Sequence, residues 1–115
     1  VIVGDSTSAN LYKLLVAALR HSPGRHTILS EPGNFPTDLH VAEGAAASVP
    51  GARLRALPRD QVQAALGPDT AVLLLTHVHY KTAQRWDMAA LTAAAHAAGA
   101  LVLWDLSHST GAVSL

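Results

Sequence analysis

The residues best suited to chemistry lie near the end of this 115-residue chain, at positions 101–111, which read LVLWDLSHSTG. Four apolar residues lead directly into Asp105, and His108 follows three positions later. This pattern is typical of a buried parallel strand that delivers its last residue to a ligand site, because open α/β sheets bind ligands beyond the carboxyl ends of their strands. An unpaired buried carboxylate is costly, so we expect Asp105 to pair with a cation or a protonated ring nitrogen, the alternative being a salt bridge or a cap.

A second polar group precedes the first helical pattern. The hydroxyls of Ser6, Thr7 and Ser8 would lie with free backbone amides at a helix N-terminus, which favours an anion such as a phosphate monoester. The chain contains no G-x-G-x-x-G or Walker A motif, so it offers no cradle for a dinucleotide or a nucleoside triphosphate. The alternative interpretation is an ordinary helix cap.

Three single residues complete the candidate set. Phe35, the only phenylalanine, stands in a polar loop after Asn34, where its ring could stack on a planar ligand or simply join the core. Thr76 ends the most continuous apolar run, at residues 71–75, and so reaches the same edge of the predicted sheet. His108 could donate a hydrogen bond, act as a base or only pack.

Two further patterns carry weaker hypotheses. His77 and His79 would face the same side of a strand and suggest a metal site with Asp105 and His108, but no H-E-x-x-H motif is present and we predict no metal. Lys13 and Lys81, the only lysines, are expected to be solvated, because nothing nearby suggests the desolvation that activates an amine.

The elements that must position these residues alternate between strand and helix patterns. Apolar runs predict strands at 1–3, 27–30, 52–57, 71–75 and 101–104. Helical spacing predicts helices at 8–19 with Ser8 as N-cap, at 36–49, after position 60 and at 88–98. Without hairpin signals, this alternation predicts an α/β fold with a mostly parallel sheet and helices on both faces.

Composition narrows the function classes. Lys+Arg and Asp+Glu both number 8, so no net charge attracts nucleic acid or an anionic membrane. Without cysteine, disulfides, thiolate metal sites and thiol nucleophiles are excluded, and we expect a cytoplasmic protein. No apolar run approaches the roughly 20 residues that span a bilayer. The chain begins at Val1 inside an apolar run, so we expect an internal piece of a longer protein.

In combination these residues resemble the kynureninase family of fold type I pyridoxal-phosphate enzymes, the aspartate-aminotransferase superfamily. The matching stretches follow the family's order across the chain: DSTSANLYKLL at 5–15, NFPTDLHVAEG at 34–44, LTHVHYKT at 75–82 and WDLSHSTGAV at 104–113. The second stretch best separates this family from related desulfurases and aminotransferases. The resemblance implies that residues 1–115 form the central part of the large cofactor-binding domain.

The resemblance also implies a role for each matching residue. Thr7 and Ser8 would hold the cofactor phosphate, and Phe35 would stack on the pyridine ring. Asp105 would pair with the protonated pyridine nitrogen, which keeps the ring an electron sink. The other cofactor-binding residues that it implies are Pro36, Thr37, Asp38, Thr76 and His108. The family's Schiff-base lysine, the tyrosine before it, the N-terminal segment and the small C-terminal domain are expected outside residues 1–115.

The implied activity is the hydrolysis of L-kynurenine, and of its 3-hydroxy form, to anthranilate (or 3-hydroxyanthranilate) and L-alanine, in tryptophan catabolism and NAD biosynthesis. The intact enzyme is expected to be a homodimer with pyridoxal 5'-phosphate as cofactor, and the chain alone is expected to be inactive. Two alternatives stay open at this point. One is another fold type I enzyme such as a cysteine desulfurase, and the other is a non-catalytic α/β ligand-binding domain.

Overall fold

One four-stranded sheet organises the computed structural model, which describes residues 1–115. Its strands are β1 (Thr27–Ser30), β2 (Arg53–Ala56), β3 (Thr70–Thr76) and β4 (Leu101–Asp105). They lie in the order β2-β1-β3-β4, and each neighbouring pair is parallel. The predicted parallel sheet is therefore confirmed, and all four strands end at one edge, which we call the carboxyl edge.

Helices cover both faces of this sheet, as predicted. They are α1 (Thr7–His21), α2 (Pro36–Ala47), α3 (Arg59–Val62), which continues into a 3₁₀ turn at Gln63–Ala65, and α4 (Met88–Ala97). One apolar core joins α1 and α2 to the sheet, and a second joins α3 and α4 to the opposite face. No helix is both long enough and apolar enough to cross a bilayer.

Strand β3 joins the two cores. All seven of its residues are buried, and successive side chains point to opposite faces of the sheet. Val72 and Leu74 pack into the core of α1 and α2, whereas Leu73 and Leu75 pack into the core of α3 and α4. This double burial explains why the run reads as continuously apolar rather than alternating.

Two sequence predictions about the chain's first turn are wrong. Residues 1–3 form no strand and pair with none of the four strands; their side chains are fully exposed, so they have no neighbour to supply a ladder of hydrogen bonds. Helix α1 begins at Thr7, so its N-cap is Ser6 and not Ser8. Ser6 has the extended backbone that a cap requires, and its hydroxyl accepts a hydrogen bond from the Ala9 amide at 3.2 Å.

Candidate functional site

A cavity of about 210 Å³ opens at the carboxyl edge. Its lining combines the N-terminus of α1, the loop and first turn at the start of α2, and the turn after β4. The lining residues are Thr7, Ser8, Phe35, Thr37, Asp38, Asp105, Ser107 and His108. Seven of the nine predicted cofactor-binding residues are thus brought together, although they come from three separated stretches of sequence.

Two acidic residues, Asp38 and Asp105, form the floor of this cavity. Only 2% of Asp38 and 6% of Asp105 is exposed, and neither forms an ion pair with a basic side chain. Burial, the negative charge of Asp105 and a hydrogen bond between the two carboxyl groups raise the pKa of Asp38 to about 7. Asp38 therefore carries a proton in mildly acidic solution, and no basic side chain balances the charge of the pair.

Polar side chains beneath the cavity fix the position of Asp38. The Thr76 hydroxyl lies 3.3 Å from Asp38 Oδ2, and the Thr76 amide donates to Asn34 Oδ1 at 2.9 Å. Asn34 Nδ2 in turn donates to the Ser30 hydroxyl at 3.2 Å. Thr76 is buried and does not itself line the cavity, but its hydroxyl contacts Asp38, which does; its implied part in cofactor binding stays a prediction.

The turn after β4 holds Asp105. Its Oδ1 accepts hydrogen bonds from the Ser107 amide at 2.8 Å and from the Ser107 hydroxyl at 2.6 Å. This is an Asx turn, so one carboxylate oxygen of Asp105 caps the turn, as the cap alternative predicts. No basic side chain of the protein pairs with Asp105. Ser107 is not among the predicted site residues, although an Asp followed two residues later by Ser is a recognisable Asx-turn signal.

The opposite wall is the start of α1. Ser6 satisfies the Ala9 amide through its hydroxyl and the Asn10 amide through its carbonyl, so the amides of Thr7 and Ser8 have no partner in the protein. Free amides, two hydroxyls and the positive end of a 15-residue helix form a binding environment for an anion. One end of the cavity thus favours negative charge, and its floor favours positive charge.

Aromatic rings form the rim between these two ends. The rings of Phe35 and His108 lie 5.6 Å apart between centroids, at an angle of 47°, and both line the cavity. Pro36 does not line it: Pro36 is exposed and faces a separate outer groove with Tyr80. Pro36 is the first residue of α2, and its implied part in cofactor binding stays a prediction.

The weaker hypotheses also have structural outcomes. His77 contacts Trp104 whereas His79 stacks on Tyr80, and no cluster of three or more metal-ligating side chains occurs. Both lysines are exposed and neither lines the cavity: Lys13 Nζ pairs with Asp5 at 3.1 Å, and Lys81 lies in the loop after β3. The chain therefore places no amine at the site.

The residues present fit pyridoxal phosphate. Two buried carboxyl groups without a cation suit a protonated ring nitrogen, and unpartnered helix amides suit a phosphate. Phe35 provides an aromatic surface at the rim between them. The three groups lie around one cavity, which is what a planar molecule with a cationic nitrogen and an anionic substituent requires.

Comparison with known proteins agrees with this chemistry. The chain is 51% identical over 115 residues to the kynureninase of Deinococcus radiodurans, 51% identical over 119 residues to that of Pseudomonas fluorescens, and 47% identical over 120 residues to that of Burkholderia mallei. These matches cover 98–100% of the chain. The chain spans only 28–29% of the length of these curated relatives.

Solved structures give the same result for the fold. Glycine decarboxylase (P-protein) of the glycine cleavage system matches with a TM-score of 0.69 at 27% identity, covering 84% of this chain and 22% of that one. Cystathione gamma lyase of Micromonospora echinospora matches with a TM-score of 0.69 at 22% identity, covering 91% and 27%. No protein-family model matches the chain. By sequence the 115 residues are similar to kynureninases along the whole chain, and their parallel sheet with helices on both faces is the fold of these two solved enzymes.

Proposed function

We propose that these residues form the central part of the cofactor-binding domain of a pyridoxal-phosphate-dependent kynureninase. The full-length protein would hydrolyse L-kynurenine, and its 3-hydroxy form, to anthranilate (or 3-hydroxyanthranilate) and L-alanine. The observation that supports this most strongly is the buried Asp38–Asp105 pair without a cation, in a cavity that also contains free helix amides. Identity of 47–51% to kynureninases supports this reaction over the others of the fold.

Each wall of the cavity has a task in this proposal. The amides and hydroxyls of Thr7 and Ser8 bind the phosphate, and Phe35 packs against the ring. Asp105 would hold a proton at the ring nitrogen, and Asp38 would release its own proton to solvent when that cation binds. Bound pyridoxal phosphate supplies the electron sink that the amino-acid substrate needs.

The positions of the lysines limit what residues 1–115 do alone. Lys13 and Lys81 do not line the cavity, so we infer that the lysine that links the cofactor lies outside these residues. The 115-residue chain is then expected to show no turnover. The intact enzyme is proposed to be a cytoplasmic homodimer, which sedimentation and cell fractionation would test.

The test uses full-length protein and three substrates in parallel. With pyridoxal phosphate, it should develop a visible absorbance band of protein-bound cofactor and release anthranilate and L-alanine from L-kynurenine. A band with sulfide release from L-cysteine and no anthranilate would replace the proposal with a desulfurase. The absence of any band at saturating cofactor would instead favour a non-catalytic ligand-binding domain. Comparing L-kynurenine with 3-hydroxykynurenine gives the preferred substrate.

A further inference from the structure

The loop between β3 and α4 is closed on itself and carries Tyr80 at its tip. Val78 and Arg85 form an antiparallel bridge across its base. Inside it, the His79 amide donates to the Gln84 carbonyl at 2.9 Å, and His79 Nδ1 accepts from two loop amides at 3.1 and 3.2 Å. These bonds give the tip a defined conformation even though much of it is exposed.

The end of this loop is tied to the end of β1. The Trp86 indole donates to Glu31 Oε1 at 3.1 Å, and Glu31 is 5% exposed. The Arg59 guanidinium lies 3.6 Å from the centroid of the Trp86 ring, so a cation–π contact strengthens the same junction. Since Glu31 directly precedes the segment that contains Phe35, the loop and the phenylalanine share one anchor.

Tyr80 contacts the cavity's two aromatic residues from the side of the outer groove. Its ring stands edge-on to Phe35, with centroids 5.1 Å apart and an angle of 77°, and it lies 6.4 Å from His108. His79 stacks on it at 5.3 Å and 14°. Tyr80 itself faces the outer groove and does not line the cavity. It therefore touches both cofactor-facing rings without reaching the place where the cofactor would lie.

We propose that Tyr80 is a positioning residue, which holds the Phe35 and His108 rings in the orientation that receives the planar part of the cofactor. This inference rests on the proposed function. An edge-to-face contact favours one orientation of Phe35 over its alternatives, and loss of the contact lowers ring affinity by roughly 3- to 10-fold. Tyr80 has no contact with the α1 amides, so phosphate affinity stays unchanged.

The experiment separates ring binding from phosphate binding in full-length protein. Wild type, Tyr80→Leu and Tyr80→Phe are titrated with pyridoxal 5'-phosphate, and inorganic phosphate is titrated separately. We expect Tyr80→Leu to weaken cofactor binding by roughly 3- to 10-fold at unchanged phosphate affinity, and Tyr80→Phe to restore it. Tyr12, the other tyrosine, is similarly exposed and bonds only to Ser48, so Tyr12→Leu is the matched control and should leave both affinities unchanged.

A second measurement does not depend on the cofactor. Full-length protein labelled with 4-fluorophenylalanine gives a ¹⁹F resonance for Phe35, assigned by its loss in Phe35→Leu. Tyr80→Leu should shift or broaden it, and Tyr12→Leu should not. If Tyr80→Leu keeps wild-type cofactor affinity or leaves the resonance unmoved, the role of Tyr80 is overturned and the proposed function stands. Equal loss of cofactor and phosphate binding also overturns it, whereas a wild type that binds no cofactor overturns the proposed function as well.

Discussion

The acidic side chains at the two edges of the sheet differ in whether a basic side chain pairs with them. At the amino edge, where the strands begin, Asp69 accepts a hydrogen bond from the Thr27 hydroxyl at 2.6 Å and pairs with Arg53. At the carboxyl edge, Asp38 and Asp105 are more deeply buried and have no basic side chain as a partner. The hydrogen bond from Thr27 lowers the pKa of Asp69, whereas burial raises that of Asp38.

This contrast separates stabilising chemistry from ligand-binding chemistry. The amino edge is satisfied internally: Arg25 Nη1 lies within 3.2 Å of the carbonyls of Gly67, Thr70 and Ala98, and so links the start of β3 to the end of α4. The carboxyl edge keeps an uncompensated pair of carboxyl groups and two free helix amides. Unpaired polar groups of this kind lower the stability of the ligand-free protein, and they are typical of a site that binds a ligand.

The largest expected effect is at the carboxyl edge. In full-length protein, Asp105→Ala should lower kynurenine hydrolysis by at least about 100-fold, because nothing then holds a proton at the ring nitrogen. Initial rates of anthranilate formation measure this. Asp5→Ala is the control, since Asp5 is exposed and pairs only with Lys13. Equal activity of the two variants would remove Asp105 from the site.

The next largest effect is the pH dependence of stability that Asp38 causes at the carboxyl edge. Because the folded-state pKa of Asp38 lies above the unfolded value of 3.8, its favourable contribution is complete below about pH 4 and is lost as the pH rises through 7. Deprotonation of Asp38 then lowers the free energy of unfolding by up to about 4 kcal/mol. Asp38→Asn should remove this loss in cofactor-free protein, as measured by urea unfolding at pH 5 and pH 8. A wild-type pH slope in Asp38→Asn would contradict the raised pKa.

A backbone change tests the satisfied edge. Gly99 has φ +76°, and an added Cβ would lie 2.5 Å from Arg25 Nη2, so Gly99→Ala should destabilise the protein by about 3 kcal/mol. Gly24 has φ +81° with nothing within 4 Å, so Gly24→Ala carries the strain alone, about 1 kcal/mol. Urea unfolding measures both. Equal losses would mean that Arg25 moves freely and does not link β3 to α4.

The smallest effect concerns Asp69. Asp69→Asn should cost about 1 kcal/mol near pH 7, because it weakens the pairing with Arg53 and the bond from Thr27. The folded-state pKa of Asp69 is lowered, so its contribution is present above the unfolded value and lost as the pH falls through the folded one. The variant should therefore match wild type in strong acid. A deficit that persists there would assign its effect to packing.

Strong patterns in the sequence predicted the sheet correctly, because β3 and β4 are long apolar runs and α4 has a cap at Asp87 and a stop at Gly99. The seven cavity residues followed from family resemblance together with the rule that parallel strands end at one edge. Residues 1–3 have strand composition but no partner strand, and composition cannot supply one.

Depth at the site was harder to predict. Whether Thr76 lines the cavity or lies beneath it depends on where α2 places Asp38, which is a property of packing. No local pattern predicts a role for Tyr80, because its contacts with Phe35 and His108 join three loops that are distant in sequence. The raised pKa of Asp38 is likewise a tertiary property, since two strands (β2 and β3) and two helices (α3 and α4) separate it along the chain from Asp105.

The central claim is that Asp38, buried beside Asp105, carries a proton until a cationic ring binds. Infrared difference spectroscopy of cofactor-free full-length protein at pH 6 tests it, because a buried carboxylic acid has a carbonyl band distinct from that of a carboxylate. We predict a carboxylic acid band that is absent in Asp38→Asn and disappears when pyridoxal phosphate binds. A cofactor-free protein without this band, or a band that persists at saturating cofactor, would contradict the account.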